Sequence, residues 1–309
     1  MKNKKTFLVT GGTGFIGRAI VNLLLKKNYN VVVFDNDFRG SFKKLNNKTI
    51  KFIKGDIRNT KDFNRSLKSV NAIIHLAYIN GTKFFYSKPE IVLDVAVKGL
   101  INVFDGCKKF NIKELYLASS SEVYQTPLKI PTDEKEILKV PDIFNPRYSY
   151  GGGKILTELM GINYGRKYFK KLIIFRPHNV YGPEMGKEHV IPEFIERMKK
   201  LKGNKFKIEG TGQEIRSFIH IDDFIKAFEL ILNKGKHLNV YNIGTQEKIK
   251  IGNLAKKIAK IFNKHINLIT LPLKKGGTRI RVPDIKKIKK LGFKQFNSIE
   301  EGLIKTINF

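Results

Sequence analysis

Short apolar segments alternate with longer amphipathic segments along the first two thirds of the chain. The short segments are rich in Val, Ile, Leu and Phe, as strands buried in a parallel sheet are. The longer segments repeat apolar residues every three or four positions, which indicates amphipathic helices. The predicted strands cover residues 6–10, 31–35, 50–54, 72–77, 114–118, 172–175 and 240–244, and the predicted helices cover 16–24, 89–110, a stretch from 149 onward, 191–201, a stretch that ends near 232, and 253–262. This alternation predicts an α/β fold with a parallel sheet.

Two polar positions are expected to start helices. Thr60 is expected to cap the helix after the third strand, and Ser298 with Glu301 predicts a capping box for the last helix.

A glycine-rich turn joins the first predicted strand to the first predicted helix. Residues 11–17 are Gly-Gly-Thr-Gly-Phe-Ile-Gly, with G-x-G-x-x-G at 12, 14 and 17. Such glycines let the chain turn sharply and bring backbone N–H groups against a pyrophosphate, which the helix N-terminus also faces. The motif alone also occurs in surface turns. Its place between a strand and a helix predicts a dinucleotide site in a Rossmann-type, doubly wound sheet.

Acidic residues after the next two strands extend this prediction. Asp35 ends the second strand, where a carboxylate accepts hydrogen bonds from ribose hydroxyls and repels a 2′-phosphate. We therefore expect NAD rather than NADP, although nearby Arg39 weakens this argument. Asp56-Ile57 follows the third strand and is expected to meet the adenine, whereas His75 is expected to pack in the core. The residues predicted to contact NAD are Gly11, Gly14, Phe15, Ile16, Gly17, Asp35, Asp56, Ile57, Ala77 and Lys154.

The strict alternation of strands and helices loosens beyond Pro183. We predict that residues 1–176 form the NAD-binding domain and that 213–245 return to it. Residues 177–309 are predicted to form mainly a smaller substrate-binding domain that closes over the strand ends. Residues 127–146 contain four prolines and several acids, which predicts a loop.

Composition indicates a globular protein of the cytoplasm. The chain has 309 residues, of which 41% are hydrophobic, so it can bury a large core. The first strand begins by residue 6, which leaves no room for a signal peptide, and no apolar segment is long enough to cross a membrane. The single cysteine, Cys107, cannot form an intrachain disulfide, as is usual in a reducing compartment. We therefore expect cytoplasmic localisation and no membrane insertion.

The formal net charge of +32 is the strongest bias in the composition. Such a charge could indicate binding to nucleic acid or to a membrane surface. The lysines, however, are spread over the whole chain, which favours a general surface bias, so we expect no specific nucleic-acid partner. The six histidines show no metal-ligand spacing, and we predict no metal site.

Three polar residues are expected near the carboxyl ends of the strands, where ligands bind in open parallel sheets. Tyr150 and Lys154 are four apart and therefore on one helical face, and Ser120 follows the fifth strand. Each alone would be an ordinary surface or strand-end residue. Beside a nicotinamide, an ammonium and the positive charge of the cofactor would lower the pKa of the phenol. Tyr150 would then accept a proton from a substrate hydroxyl whose carbon loses a hydride to NAD⁺, and Ser120 would bind the reacting oxygen.

Several motifs together resemble one family. They are the turn at 11–17, Asp35, Asp56-Ile57, Ser-Ser-Ser-Glu-Val-Tyr at 119–124, Tyr150-x3-Lys154, Arg-x2-Asn-Val-Tyr-Gly-Pro at 176–183 and Arg-Ser-Phe-Ile-His-Ile-Asp-Asp at 216–223. Over nearly its whole length the chain resembles the extended short-chain dehydrogenases/reductases, in the nucleotide-sugar epimerase/dehydratase group.

The resemblance implies roles for individual residues. Ser120, Tyr150 and Lys154 match the catalytic triad, and Asn179 matches a residue that contacts the phosphates of the sugar nucleotide. Arg216 and Arg281 match arginines that bind the diphosphate, or act near C5 and C6 of the sugar in the case of Arg281. The family also implies tightly bound NAD, an NDP-sugar substrate, and a homodimer that pairs helices near 89–110 and 150–169.

The chain departs from the usual family pattern at three positions. Gln125 stands where Gly is usual, Gly153 replaces a common Ser before the lysine, and Ala96 occupies a position often held by Asn. None of these departures removes a reacting group.

The reaction that follows oxidation at C4 depends on groups near C5 and C6. Glu122 could serve there as an acid or base in decarboxylation or in loss of water, whereas 4-epimerisation needs no such group. Dehydratases have Asp-Glu after the catalytic hydroxyl residue, and Ser121 breaks that pattern. We expect an NDP-sugar 4-epimerase. The alternatives are a UDP-glucuronate decarboxylase, which the chain resembles in Pro146-Arg147-x2-Tyr150 and Arg281-x-Pro-Asp284, a 4,6-dehydratase, a C4 dehydrogenase, and a family-derived RNA-binding or regulatory protein.

Overall fold

The computed structural model describes residues 4–45, 47–272 and 276–309. The strands are β1 (Thr6–Thr10), β2 (Asn30–Asp35), β3 (Lys51–Lys54), β4 (Ala72–His75), β5 (Glu114–Ala118), β6 (Lys171–Pro177), β7 (Val180–Tyr181), β8 (Lys205–Glu209), β9 (Ile215–Arg216), β10 (Ile219–His220), β11 (Asn239–Ile243), β12 (Ile249–Lys250), β13 (Asn267–Leu271) and β14 (Ile280–Arg281). The helices are α1 (Phe15–Lys26), α2 (Thr60–Arg65), α3 (Thr82–Ser87), α4 (Pro89–Lys109), α5 (Tyr148–Tyr168), α6 (Val190–Lys200), α7 (Ile221–Lys234), α8 (Ile251–Ile261), α9 (Lys286–Lys290) and α10 (Ile299–Ile307).

The seven predicted strands form one parallel sheet in the order β11-β6-β5-β4-β1-β2-β3. In β1, Leu8 pairs with Val32 of β2 on one side and with Ile73 of β4 on the other. All three side chains are buried because helices cover both faces of the sheet. The predicted Rossmann-type, doubly wound fold is therefore confirmed.

Two apolar cores flank this sheet. On one face, β-strand residues pack against α1 and α7, with Leu24 and Phe228 fully buried. On the other face they pack against α2, α4 and α5, with Phe63 and Val103 fully buried. The parallel strands all end at the same edge, so the segments that follow β1, β2, β4 and β5 lie close together there.

A third core lies in the C-terminal part, where β8 and β13 pair and α6, α8 and α10 pack. The paired strands β8 and β13 were not predicted, although the Lys-Phe-Lys-Ile-Glu pattern of β8 alternates buried and exposed residues. The two-residue strands β7, β9, β10, β12 and β14 and the short helices α3 and α9 were also not predicted. A two-residue strand is defined by its long-range pairing, and a helix of five or six residues is too short to show a clear period.

Segment 213–245 contributes to the large sheet, because β11 pairs with β6 and α7 contacts α1. The division into an NAD-binding domain of residues 1–176 with 213–245 and a mainly substrate-binding part in 177–309 stays a prediction. Residues 127–146 contain no helix or named strand, as the prolines predict.

The capping box at the start of α10 is confirmed, with Ser298 and Glu301 each bonded to the other's backbone N–H. The predicted cap of α2 is wrong by one residue. Asn59 accepts hydrogen bonds from the backbone N–H groups of Lys61 and Asp62 at 2.9 and 3.2 Å. Thr60 is already helical, and its hydroxyl donates to Asn102.

Candidate active site

A cavity of about 840 Å³ opens at the carboxyl ends of the parallel strands. Most of the residues predicted from the sequence line it: Gly11, Gly14, Phe15, Ile16, Gly17, Asp35, Asp56, Ile57, Ala77, Ser120, Glu122, Tyr150, Lys154, Asn179 and Arg281. Arg216 is not among the lining residues. The fold therefore brings the glycine turn, the acidic strand ends and the Ser/Tyr/Lys group to one cavity.

The glycine turn fits a bound pyrophosphate. Gly11 has φ +69°, and a Cβ there would lie 2.7 Å from the backbone nitrogen of Ala77. A Cβ at Gly17 would overlap the Gly11 carbonyl oxygen. Gly14 caps α1 without any side-chain hydrogen bond to the first backbone N–H groups of the helix. These donors and the positive end of the helix dipole are the groups that a pyrophosphate requires.

The acidic residue at the end of β2 is oriented by the turn. Asp35 accepts hydrogen bonds from the backbone N–H groups of Thr13 at 3.0 Å and Asp37 at 2.9 Å. Its carboxylate thus lies at the cavity wall, where ribose hydroxyls are expected.

Arg39, the residue that weakened the prediction of NAD over NADP, is engaged elsewhere. It donates to the backbone oxygen of Asn80 and to Glu188 at 2.9 Å, and its guanidinium lies 5.8 Å from the Phe84 ring centroid. The guanidinium is therefore paired with a carboxylate, and a 2′-phosphate would have to compete for it.

The segment after β7 is attached to the cofactor side of the cavity by ion pairs. Glu184 contacts Arg18 of α1 at 3.2 Å and Lys44 at 2.7 Å, and Glu188 contacts Arg39. Sequence reasoning missed these residues, because nothing in the local pattern indicates partners about 140 positions away.

The predicted adenine contact is also held in place. Arg58 donates to both carboxylate oxygens of Asp56, at 3.0 and 2.7 Å, and to Asp94 at 3.0 Å. The hydrogen bond from Arg58 is the main reason why the pKa of Asp56 is lowered, against a smaller opposing effect of burial. Asp56 is therefore ionised at neutral pH and remains able to accept a hydrogen bond.

Ser120 and Tyr150 meet at the end of β5. Ser120 caps the 3₁₀ helix Ser121–Tyr124 and accepts a hydrogen bond from the backbone N–H of Glu122 at 3.2 Å. Burial raises the pKa of Tyr150, while the hydrogen bond from Ser120 and the charge of Arg39 lower it only in part. The phenol ring is fixed by Phe85, stacked at a centroid distance of 4.9 Å.

Burial has the largest effect on the pKa of Tyr150, and the lowering that we expect from Lys154 together with the charge of the nicotinamide stays a prediction. The Nζ of Lys154 donates to the backbone oxygen of Ala118 at 2.7 Å and lies 5.8 Å from the ring centroid of Tyr150. Burial lowers the pKa of Lys154 to about 7, with Glu158 opposing the shift.

Behind the reacting groups lies a buried polar network that sequence reasoning missed. Arg176 donates to Glu158 at 2.7 and 2.5 Å and to the Tyr124 hydroxyl at 2.6 Å. Ser119 also donates to Glu158. His75 is buried as predicted and is bonded to Thr10 at 2.8 Å, and burial together with the charge of Lys154 lowers its pKa to about 3. The network fixes the helix that carries Tyr150 and Lys154.

Glu122 and Arg281 form a two-point ion pair at the cavity wall. Burial alone would raise the pKa of Glu122, but Arg281, Arg147 and Arg216 outweigh burial and lower it. The Nε atoms of Arg147 and Arg281 are buried without a hydrogen-bond partner. Glu122 is thus held as a carboxylate within a group of arginines that retain unused donors.

The other two predicted substrate contacts are held by the backbone. Asn179 donates to the carbonyl oxygen of Ser217 at 2.8 Å and lines the cavity. Arg216 donates to the carbonyl oxygens of Ile215, Thr278 and Arg279, at 2.9, 2.6 and 3.2 Å, and so ties β9 to the segment before β14.

The sequence from residue 7 to residue 244 matches the family described as NAD dependent epimerase/dehydratase. The chain belongs to this family. Its cofactor is therefore NAD, as the glycine turn and Asp35 predict. When bound, NAD accepts a hydride and can return it.

Two solved structures share the fold over nearly all of the chain. The UDP-glucose 4-epimerase of Thermotoga maritima, crystallised with UDP-glucose, has a TM-score of 0.89 and 29% identity, covering 98% of this chain and 97% of that one. The dTDP-glucose 4,6-dehydratase of Streptomyces venezuelae, crystallised with NAD, has a TM-score of 0.88 and 25% identity, covering 98% and 96%.

A longer plant protein is a relative in sequence. The chain is 31% identical to the trifunctional UDP-glucose 4,6-dehydratase/UDP-4-keto-6-deoxy-D-glucose 3,5-epimerase/UDP-4-keto-L-rhamnose-reductase of Arabidopsis thaliana. The match covers 99% of this chain and 47% of the plant protein, so the chain spans about half the length of that relative.

Across residues 4–45, 47–272 and 276–309, no group of three or more His, Cys, Asp or Glu side chains is arranged to hold a metal ion. No helix in these ranges is long and apolar enough to cross a membrane.

Proposed function

We propose that the protein is an NDP-sugar 4-epimerase that oxidises and then reduces C4 of its substrate. The observation that supports this proposal is the arrangement of Ser120, Tyr150 and Lys154 around one cavity. Glu122, the one carboxylate among the predicted catalytic residues, forms an ion pair with Arg281. Such a site has the groups that C4 chemistry needs. Glu122, paired with Arg281, would offer no proton for the loss of a C6 hydroxyl.

In the proposed reaction, the ionised phenol of Tyr150 would accept the proton of the C4 hydroxyl, and bound NAD⁺ would supply the acceptor for the hydride that leaves C4. Ser120 donates a hydrogen bond to the same oxygen and stabilises the charge that develops there. Once the 4-keto sugar had turned over, Tyr150 would return its proton to the C4 oxygen, and the reduced cofactor would supply the hydride to the opposite face of C4. Lys154 contributes a positive charge beside the phenol and a donor for the cofactor ribose.

The state of Glu122 argues against a dehydratase. Loss of water requires an acid that protonates the leaving hydroxyl. The arginines around Glu122 keep its pKa below the ordinary value, so the carboxylate carries no proton at neutral pH. Ser121 also replaces the Asp of the dehydratase pattern.

One observation favours UDP-glucuronate decarboxylase as a second candidate. Arg147 and Arg281 each retain a buried Nε donor without a partner, close to Glu122. A sugar carboxylate could accept these hydrogen bonds, which are strong when both groups are charged. The resemblance to decarboxylases in Pro146-Arg147-x2-Tyr150 and Arg281-x-Pro-Asp284 points in the same direction.

The test is a mass spectrum of UDP- and GDP-sugars, including UDP-glucuronate, after incubation with the purified protein and without added NAD. A product of unchanged mass that separates by chromatography is expected for the epimerase. Loss of carbon dioxide from UDP-glucuronate would replace the proposal with the second candidate. A Tyr150→Phe variant serves as the control, since it lacks the proposed proton acceptor and should give no product.

We also propose that the protein is a homodimer that pairs α4 and α5 with the same helices of a second copy. Leu93 and Ile101 lie eight residues apart on one face of α4, and both are 42% exposed. Leu159 of α5 is 61% exposed, and α5 packs directly against α4. Apolar stripes on two adjacent helices would be buried in a four-helix bundle with a second copy.

A further inference from the structure

Tyr78 follows β4 and directs its side chain between α4 and α5. Its hydroxyl oxygen is fully buried and has no hydrogen-bond partner, although the residue also lines the cavity. Most buried tyrosine hydroxyls have a partner, so an unpartnered one indicates a constraint on the position of the ring.

Small residues on α4 and α5 leave space for the Tyr78 ring. A Cβ at Gly153 would overlap the Tyr78 hydroxyl oxygen and would lie 2.8 Å from the Cβ of Ala96. Gly153 and Ala96 are two of the positions at which the chain departs from the usual family pattern. The glycine at 153 therefore has a physical reason, because the Tyr78 hydroxyl and the Ala96 side chain fill the space that a larger residue would need.

The ring of Tyr78 contacts both proposed reacting groups of α5. The Nζ of Lys154 lies 3.8 Å from the ring centroid of Tyr78. The ring of Tyr150 meets the same ring edge to face, with centroids 5.1 Å apart and an interplanar angle of 84°. We propose that Tyr78 is a positioning residue, which holds the Lys154 ammonium against its ring face and fixes the orientation of the Tyr150 phenol. This assignment rests on the proposed function, in which Lys154 and Tyr150 act together.

The other groups around Lys154 define what the ring contributes. From its own helix, Glu158 opposes the loss of the ammonium proton, and Tyr150 is neutral. From β4, His75 is neutral because burial and Lys154 lower its pKa to about 3. From β5, the carbonyl oxygen of Ala118 accepts a hydrogen bond. Among these groups the Tyr78 ring is the aromatic face nearest to the ammonium, and a π face favours the charged form.

Removal of the ring should therefore make the ammonium less stable. Without the ring, the buried Lys154 amine would lose its proton at a lower pH. If the rate of NAD⁺ reduction depends on the Lys154 ammonium, the rate should therefore begin to fall at a lower pH on the alkaline side of its profile. A desolvated cation–π contact corresponds to a displacement of about one pH unit. A phenylalanine keeps the π face and loses only the unpartnered hydroxyl.

The experiment compares Tyr78→Phe and Tyr78→Leu with the unaltered holoenzyme. Reduction of bound NAD⁺ by the nucleotide sugar is followed in single turnovers across pH 6 to 10. We expect the upper limb to keep its position in Tyr78→Phe, and in Tyr78→Leu to move about one unit toward acid, with a roughly tenfold loss of rate at pH 8. An unmoved limb in Tyr78→Leu, or an equal movement in both variants, would overturn the assignment.

A second measurement does not depend on turnover. The titration of Lys154 is measured by competitive acetylation of the holoenzyme and mass spectrometry of the peptide that contains it. Phe85→Leu is the matched control, because Phe85 stacks on Tyr150 and no contact with Lys154 is seen among the described residues. The Lys154 titration should move in Tyr78→Leu and not in Phe85→Leu. If no nucleotide sugar reacts, the proposed function fails, while this titration still decides the role of Tyr78.

Discussion

The guanidinium of Arg281 donates two hydrogen bonds to the carboxylate of Glu122. The pair joins β14 of the C-terminal part to the 3₁₀ helix that follows β5, at the wall of the cavity. The side chain of Arg281 is 7% exposed and that of Glu122 is 21% exposed, so little water screens the pair. Glu122 therefore has a structural role in addition to any part in the reaction.

Glu122→Gln is expected to separate these roles. The amide keeps the shape and one acceptor but leaves the buried Arg281 charge unpaired, which should lower the free energy of unfolding by about 3 kcal/mol. In a 4-epimerase, the turnover rate should fall by no more than about tenfold, because proton transfer remains with Tyr150. Thermal unfolding and turnover with the same nucleotide sugar provide the two readouts.

Thr278→Val is the matched control for this variant. The Thr278 hydroxyl accepts a hydrogen bond from Arg281 at 2.9 Å, so its loss weakens the support of the same guanidinium and leaves the Glu122 charge in place. A loss of a hundredfold or more in Glu122→Gln, without a similar loss in Thr278→Val, would contradict a purely structural role.

Cofactor choice should depend on the pairing of Arg39. In Glu188→Gln, the guanidinium loses its carboxylate partner and becomes available to a 2′-phosphate. We expect the ratio of NADPH to NADH dissociation constants to fall by about three- to tenfold, with Asp35 still repelling the phosphate. Fluorescence titration of both nucleotides measures the ratio. Glu193→Gln, which breaks a similar pair with Arg197, should leave it unchanged.

The sequence was sufficient for the large sheet because its strands are buried on both faces and its helices have a clear period. Leu8, Ile73 and Leu115 illustrate the strand pattern, since each is fully buried in a continuous apolar segment. The location of the site could be predicted from the same pattern, because polar residues just after such strands lie together at one edge of the sheet. Thus the positions of Ser120 and Asp35 could be predicted without coordinates.

Side-chain partners could not be predicted in this way. Glu122 and Arg281 are 159 residues apart, and no local pattern shows that they meet. Tyr78 carried no motif, and its only signals were the unexplained departures at Gly153 and Ala96. The role of Gln125 could not be predicted either. Its φ of +50° suits the Gly that is usual in the family at this position. Its side-chain amide fills space that a side chain at Gly151 would overlap.

The proposed dimer predicts a specific effect of charge on α5. Leu159→Glu would place carboxylates in the apolar centre of the bundle, so the protein should elute and sediment as a monomer at micromolar concentrations. Sedimentation velocity distinguishes the two states. Ile304→Glu is the control, since Ile304 is 42% exposed on α10, away from the proposed interface. A monomeric unaltered protein, or a Leu159→Glu variant that remains dimeric, would contradict the proposal.

Burial of Lys154 should reduce the stability of the nucleotide-free protein in a pH-dependent manner. The pKa falls from 10.5 in a free lysine to about 7 in the folded chain, chiefly because burial disfavours the charge. Between these values the unfolded chain binds more protons, so stability rises with pH. The penalty is fully present below pH 7 and disappears above about pH 10.5. Its upper limit is ~5 kcal/mol, from 1.36 kcal/mol per pKa unit.

Lys154→Met should therefore stabilise the protein while removing its activity. Methionine fills a similar volume without a charge, and we expect the melting temperature at pH 6.5 to rise by about 5 °C. The gain should shrink toward pH 10, where the folded and unfolded chains bind similar numbers of protons at this position. Calorimetry at both pH values measures the difference, with the exposed Lys68→Met as the control. An equal change at both pH values would show that packing, and not the buried charge, determines the effect.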